Sequence, residues 1–352
     1  MRSVLSLGVA ALLLLQLPAT ADDLVVGLFE RYIEALRRQA GIPGLSAAIV
    51  GQDAILWERG FGLQDVDRSI AARPDTPYPI DGITQVFTAA MTLRCAEENR
   101  LSLDVRIGQF DSDAPDPNAT ILQVLTHTSG SGAGLAYDYS LDRFPPLTRA
   151  IRTCTIGSYR KSLGELFDRL AMRDSVPGPD VLRLVPPAEG IPDPPTSARY
   201  RAILERLATP YAVDRRNGRA SPTTHPVTEL TPALGIISSV RDLAQFDLAL
   251  RKGVLLRPET VDAAWRNPLS AEGQPLPHGI GWFVQTYKGE RVVWQFGIAE
   301  NASSSLIVTV PARNVTLIML ANSDGLVSSF APEEGDLSIS PFGRLFLRFF
   351  IG

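Results

Sequence analysis

The sequence predicts an α/β protein of the α+β kind, an antiparallel sheet covered by helices on both faces with an all-helical lobe beside it. Three observations carry this prediction. A helix-periodic segment followed by a β-hairpin opens the chain, four β-prone runs succeed one another between 280 and 320, and an amphipathic helix lies at the end. The long middle stretch mixes short helical patterns with Pro- and Gly-rich loops.

Taken in order, Arg2, the apolar run Val4 to Leu17 and Pro18-Ala19-Thr20-Ala21 have the charged, apolar and A-x-A parts of a secretory signal peptide. Cleavage is expected after Ala21, leaving residues 22–352 as one domain, secreted or periplasmic. The apolar run is shorter than the ~18 to 20 residues that span a bilayer. No cysteine precedes Cys95, so there is none at the cleavage site to carry a lipid, and no stable membrane anchor is expected after cleavage. Leu24 to Arg38 places Leu24, Leu28, Tyr32 and Leu36 at helical spacing, and Gly41-Ile42-Pro43-Gly44 stops that helix. Leu45 to Val50 and Ile55 to Phe61, around Gly51-Gln52-Asp53, form a hairpin. Gln85 to Glu98 is helical. From Gly279 the runs Ile280 to Tyr287, Arg291 to Phe296, Ser303 to Val310 and Val315 to Leu320 are antiparallel strands, with Lys288-Gly289-Glu290 and Pro311-Ala312-Arg313-Asn314 as turns. Pro341 to Ile351 sets Leu345, Phe346, Phe349 and Phe350 on one side of a helix. The sheet lobe then comprises about 22–80 and 232–352, and the helical lobe about 82–231.

Composition narrows the function classes. Hydrophobic content of 45%, charged content of 20% and a net charge of −4 describe an ordinary globular chain with no electrostatic reason to bind nucleic acid. Cys95 and Cys154 are either a bridge, worth about 4 kcal/mol in the chain-entropy model, or two buried thiols. The histidines, His127, His225 and His278, have no partner at metal-ligand spacing, so structural roles are expected and no metal or other cofactor. Gly60-Phe-Gly62 lacks the third glycine of a dinucleotide fingerprint.

Over nearly the whole mature chain, a series of segments falls in one order. These are Gly41-Ile-Pro-Gly-Leu-Ser-Ala-Ala-Ile-Val50, Trp57-Glu-Arg-Gly-Phe-Gly62, Phe87-Thr-Ala-Ala90, Leu101-Ser-Leu-Asp104, Leu125-Thr-His-Thr-Ser-Gly130, Leu234-Gly-Ile-Ile-Ser-Ser-Val-Arg-Asp-Leu243, Gly281-Trp282 and Leu320-Ala-Asn-Ser323. In that order they resemble the β-lactamase-related serine hydrolases: penicillin-binding peptidases, cephalosporinase-type β-lactamases and related esterases. The resemblance implies the sheet-plus-helical-lobe fold and acyl transfer through a covalent intermediate. In that family a Ser in S-x-x-K opens a buried helix, the Lys on the same helix face assists its deprotonation, and a Tyr-x-Asn loop and a Lys- or His-x-Gly strand complete the pocket.

Aligned on those elements, the helix opens at Ile80-Asp-Gly-Ile-Thr-Gln85, which puts Gly82 at the nucleophile position and Gln85 at the lysine. Pro77 to Leu101 contains neither Ser nor Lys, so no small register shift restores the motif. Ala133-Gly-Leu-Ala-Tyr-Asp-Tyr-Ser-Leu141 keeps Tyr139 but has Leu141 in place of Asn, and Trp294-Gln-Phe-Gly297 has Gln295 in place of Lys or His, retaining Gly297. Tyr139 is thus the one polar catalytic position retained. Removing the nucleophile of a coupled triad costs roughly 10⁶ in turnover, so the acyl-enzyme route should be absent. The resemblance also suggests that the backbone N–H groups of Gly82 and Ile298 form an oxyanion-type hole.

Other candidates have plainer readings. Ser158-Tyr-Arg-Lys161 is a literal S-x-x-K, but it is expected to cap the helix Tyr159 to Leu170. Lys288-Gly289 is a solvated turn, and Ser129 and Ser131 are loop residues. The first expectation is therefore a degenerate exported member that binds a peptide, cell-wall fragment or protein in the old cleft. The alternative is an active hydrolase using Thr84 or a water activated by Tyr139. A third is an assembly role with a filled cleft. The segment Asp174 to His225, where the resemblance is thinnest, is where a new site would lie.

Overall fold

The structure is a computed structural model that describes residues 21–130, 135–214 and 216–352. The expected signal segment up to Thr20, together with Ser131, Ala133 and Gly134, lies outside the described residues. The elements that position the site are α1 (Ala21–Gln39), β1 (Gly44–Val50), β2 (Ile55–Asp65), β3 (Ile70–Ala71), α2 (Thr84–Glu97), α3 (Tyr159–Arg169), α4 (Val240–Arg251), β4 (Phe283–Tyr287), β5 (Glu290–Ala299), β6 (Ser303–Val310), β7 (Val315–Ala321) and α5 (Pro341–Phe350).

The main sheet runs β4-β5-β6-β7-β1-β2-β3, every neighbouring pair antiparallel. Its central strands are buried along their whole length because both faces are covered. The two-residue alternation of a strand decides which side chain meets which layer. Leu45, Ala47 and Ile49 of β1, Leu306 and Val308 of β6, and Leu317 and Met319 of β7 join the core under α1 and α5. Ala48, Ile307, Ile318 and Leu320 join the second core, shared with α2 and α4. On β5 the same alternation sends Trp294 and Phe296 to the first core and Val293 to the second.

The opening helix departs from expectation in the face it buries. Leu28 and Tyr32 are 40% and 50% exposed, while Phe29 and Ile33 are fully buried. A rotation of one residue decides this: Phe29 packs edge-on against Trp57, Phe346, Phe349 and Phe350, and that aromatic cluster outweighs the burial of Leu28. In α5, correspondingly, Phe342, Phe346 and Leu347 are the buried side chains, with Leu345, Phe349 and Phe350 only partly covered. Ser129 is not in a loop but pairs with Ala136 in a two-residue ladder.

Ser158 caps α3 as expected, its Oγ accepting the Lys161 N–H at 3.2 Å. Lys288 and Gly289 form the tight β4–β5 turn, both at positive φ. Cys95 and Cys154 are bonded, tying α2 to the segment after the short helix Leu147–Arg152. The stretch Asp174 to His225 holds a short helix, Pro194–Leu204, and a small hairpin of Tyr211–Val213 with Ala220–Pro222. Among the described residues no helix is long and apolar enough to cross a membrane.

Candidate functional site: two closed glutamine–histidine pairs

The helix start aligned with the nucleophile is a tight 3₁₀ turn, Asp81–Ile83, leading directly into α2. Two serines of β6 fasten it to the sheet. Ser305 Oγ donates to the Ile80 carbonyl at 2.8 Å, and Ser303 Oγ donates to Asp81 Oδ2 at 2.8 Å. Asp81 sits at φ +45°, in the left-handed region that Asp tolerates better than most residues, and its Oδ1 is buried without a hydrogen-bond partner. Burial pushes its carboxyl up to about 6, against the bond from Ser303.

Glycine at 82 and at 297 lets the turn and β5 approach backbone to backbone. A Cβ on Gly82 would stand 2.6 Å from the Phe296 carbonyl oxygen, far inside ordinary contact. A Cβ on Gly297 would collide with the Ile80 carbonyl and Ser305 Oγ. A side chain at either position would therefore meet the opposing backbone. Thr84, the next hydroxyl along, is fully buried, and its Oγ1 accepts the Ile236 N–H at 3.3 Å.

Gln85 is fully buried, and its amide is held at both ends. Its Nε2 donates to Tyr139 Oη at 2.8 Å, and its Oε1 lies 2.7 Å from His127 Nε2. The Ser140 N–H donates to His127 Nδ1 at 3.1 Å, which assigns the ring proton to Nε2 and makes His127 the donor to Gln85. A second pair stands beside the first. His278 Nδ1 lies 2.7 Å from the Gly279 carbonyl and so carries the proton, leaving Nε2 to accept from Gln295 Nε2 at 3.3 Å. Gln295 also donates to the Gly281 carbonyl, and its Oε1 accepts the Phe296 N–H at 2.9 Å. The two imidazoles meet edge to face at 4.6 Å, and Tyr139 stacks between His127 and Phe296 at 4.3 and 5.5 Å.

These groups are electrically neutral. Burial is the main force lowering His127 well below the usual histidine range, with the nearby His278 and Arg143 acting in the same direction. Burial also pushes His278 down to about 3. Tyr139 is raised by burial, so at neutral pH its phenol keeps its proton. The aligned positions thus offer neither an anionic nucleophile nor a base, and the nitrogens of His127 and His278 are already engaged, which leaves neither ring free to ligate a metal. Among the described residues no cluster of three or more His, Cys, Asp or Glu is placed to hold a metal ion.

The structure brings Gly82, Gln85, Tyr139, Gln295 and Gly297 into one region, around His127, His278 and the Asp81–Ile83 turn. Leu141 is only partly buried and packs against the core of the helical lobe, where an Asn amide is absent. Ile298 follows Gly297 with its side chain 38% exposed. The two partners that sequence reasoning missed are His127 and His278. His127 lies inside the L-T-H-T-S-G string and His278 just before Gly281-Trp282, but nothing in their spacing indicates that each faces a glutamine. Tyr137 Oη donates to the Glu333 carbonyl at 2.8 Å, strapping the tyrosine segment to the sheet lobe.

A sheet of this order with a helical insertion, and a site at the start of α2 against β5, define a protein of the penicillin-binding and serine β-lactamase class. The family model described as Beta-lactamase matches residues 29–173 and 185–336, and the chain belongs to that family. It is 25% identical over 326 residues to Protein flp of Staphylococcus aureus strain MW2, a match covering 86% of this chain and 63% of that protein. Over 131 residues it is 30% identical to Esterase EstB of Burkholderia gladioli, which covers 34% of this chain and 33% of the esterase. Among solved structures, the octameric penicillin-binding protein homologue from Pyrococcus abyssi superposes with a TM-score of 0.72 at 19% identity, covering 92% of this chain and 77% of that one. D-alanine carboxypeptidase AmpC from Burkholderia cenocepacia superposes with a TM-score of 0.67 at 17% identity, covering 92% and 99%. At these identities the structural matches speak for the fold alone.

Proposed function

We propose that this protein is a non-hydrolytic member of the beta-lactamase family, exported through its N-terminal segment, that recognises a peptide, cell-wall fragment or protein at the mouth of the inherited cleft. The observation that carries the reading is the contact of Gly82 with the Phe296 carbonyl, which occupies the place a nucleophile would need. The burial of Gln85 and Gln295 in neutral, mutually satisfied pairs supports it, because acyl transfer requires a charge-stabilising and proton-accepting site. Recognition then falls to the surface around Ile298, which is exposed, and to the segments joined by the Tyr137–Glu333 bond. The oxyanion-type hole expected of Gly82 and Ile298 does not enter this reading, because Gly82 is buried in the turn.

A second reading, a structural or assembly role with the cleft permanently filled, is favoured by the same full burial of both glutamines. The test is intact-mass spectrometry after incubation with a β-lactam and fluorophosphonate panel, with NMR titration of peptidoglycan fragments and acyl-D-Ala-D-Ala peptides alongside. No adduct together with shifts at Ile298 and its neighbours supports the binding protein, and no adduct without shifts supports the scaffold. A stoichiometric adduct refutes both, and its mapped residue is the true nucleophile.

A further inference from the structure

The helix layer that covers one face of the main sheet carries an apolar row on its outside. α1 buries Phe29 and Ile33 and leaves Val25, Leu28, Tyr32 and Ala35 exposed at i, i+3, i+7 and i+10, one line along the helix. α5 lies beside it over the same core, in ring contact through Phe29 with Phe349 and Phe350 and through Tyr32 with Phe349. Phe349 and Phe350 are themselves only partly covered, so the row continues across the seam between the two helices. Single apolar side chains are ordinary on a surface, but a row spread over two packed helices marks a contact.

The free charges beside the row are of one sign. Arg31 on α1 and Arg344 and Arg348 on α5 are exposed, and among the described residues none of the three makes an ion pair. α5 contains no Asp or Glu. On α1 the carboxylates are engaged within the layer: Glu30 accepts from Trp57 and Arg59, and Glu34 from Arg37 and Arg38. Asp22 and Asp23 stand in the first turn, before the row begins. An apolar row flanked by unpaired guanidinium groups is the pattern of a helix lying in the headgroup boundary of a bilayer, where the row meets acyl chains and the cations meet lipid phosphate. Two copies of this chain packed through the same face would set three unpaired arginines of one against those of the other, so like charge disfavours that occupant.

We propose that the outer face of α1 and α5 docks reversibly on an anionic lipid bilayer. Val25, Leu28 and Tyr32 enter the headgroup boundary, which suits the apolar ring and polar tip of a tyrosine, and Arg31, Arg344 and Arg348 bind phosphate groups. The contact is peripheral and not an anchor, since no helix among the described residues is long and apolar enough to span. Nothing in it depends on whether the cleft is inert.

Vesicle flotation of the chain from Asp22 onward, the form that cleavage after Ala21 leaves, tests the assignment without the apolar run Val4 to Leu17. That form retains every described residue but Ala21. The vesicles are phosphatidylglycerol and phosphatidylcholine in equal parts, or phosphatidylcholine alone. An arginine near an anionic surface strengthens binding about fivefold, so three predict a preference of about a hundredfold for the anionic vesicles, shrinking as salt is raised. Arg344→Gln with Arg348→Gln should weaken binding to them about thirtyfold on the same scale. Leu28→Gln with Tyr32→Gln should weaken it at least about tenfold, whereas Val254→Gln, at an exposed apolar position after α4, should leave it unchanged. Near-UV circular dichroism establishes that each variant is folded. No binding of the folded wild type to anionic vesicles, equal binding to both kinds, or unchanged binding in either double variant overturns the proposal. So does a concentration-dependent dimer in sedimentation velocity that Leu28→Gln with Tyr32→Gln abolishes, because the face would then be a contact between copies.

Discussion

Replacing Asp81 by Asn should flatten the dependence of stability on pH between about 4.5 and 7.5. The carboxyl is fully buried, accepts one hydrogen bond from Ser303 and leaves Oδ1 without a partner, and burial moves it from 3.8 to about 6. In the folded protein it therefore holds its proton more tightly than in the unfolded chain. Stability is greatest while the group is protonated in both states. It falls as pH rises from 3.8 through about 6, and it levels off above that. At 1.36 kcal/mol per pH unit the full cost of the buried charge is about 3 kcal/mol, of which about 2 kcal/mol accrues between pH 4.5 and 7.5. Asn suits the left-handed backbone at 81 and can still accept from Ser303, but its amide replaces the orphan oxygen at a cost of about 1 to 3 kcal/mol at every pH. The diagnostic is accordingly the slope and not the absolute stability. Asp242, raised to about 7, contributes the same sign of slope to both proteins and cancels in the difference. Urea unfolding of the two proteins across that range measures it. If wild type and Asp81→Asn lose stability in parallel, Asp81 does not titrate as a buried, uncompensated acid and the account of the turn is wrong.

Two other perturbations follow from the same geometry. Gly82→Ala should destabilise by about 1 to 2 kcal/mol, because the added methyl meets the Phe296 carbonyl at 2.6 Å and overpacking outweighs the helix preference of Ala; a neutral or stabilising result in urea melts would mean the strand yields freely. The Cys95→Ser, Cys154→Ser double variant should lose about 4 kcal/mol, as expected for opening a loop of sequence separation 59, and a loss under about 1 kcal/mol would place the stabilisation elsewhere.

Much of the fold was legible because it rests on two-residue alternation. β1, β6 and β7 differ from their expected spans by no more than one residue at either end, since each is bounded by turn residues and buried on both faces. The opening helix was legible as a helix but not in its buried face, because Leu28 and Phe29 are equally apolar and only the partners on α5 and Trp57 select between them. The site was legible as a set of positions along the chain. Gly82, Gln85 and Gln295 were located by order along the chain. What the sequence withheld is the partner of each glutamine, since His127 lies 42 residues from Gln85 and His278 lies 17 from Gln295. Pairing over such distances is a product of tertiary packing and has no local period.

The facing glycines also bear on whether the change in this site can be undone. In a site that had merely lost its serine, one codon change would give the hydroxyl back its old place. Here the Phe296 carbonyl of β5 stands against position 82 while Ser303 and Ser305 of β6 hold the turn, so a side chain at 82 would have to displace a paired strand. Gln85 and Gln295 would each have to abandon a histidine to make way for a cation, leaving the imidazole buried and unmatched. Each single step backward is uphill, and several must be taken together. On the proposed non-hydrolytic reading, such a site would let new contacts accumulate on the scaffold without the hydrolytic reaction returning.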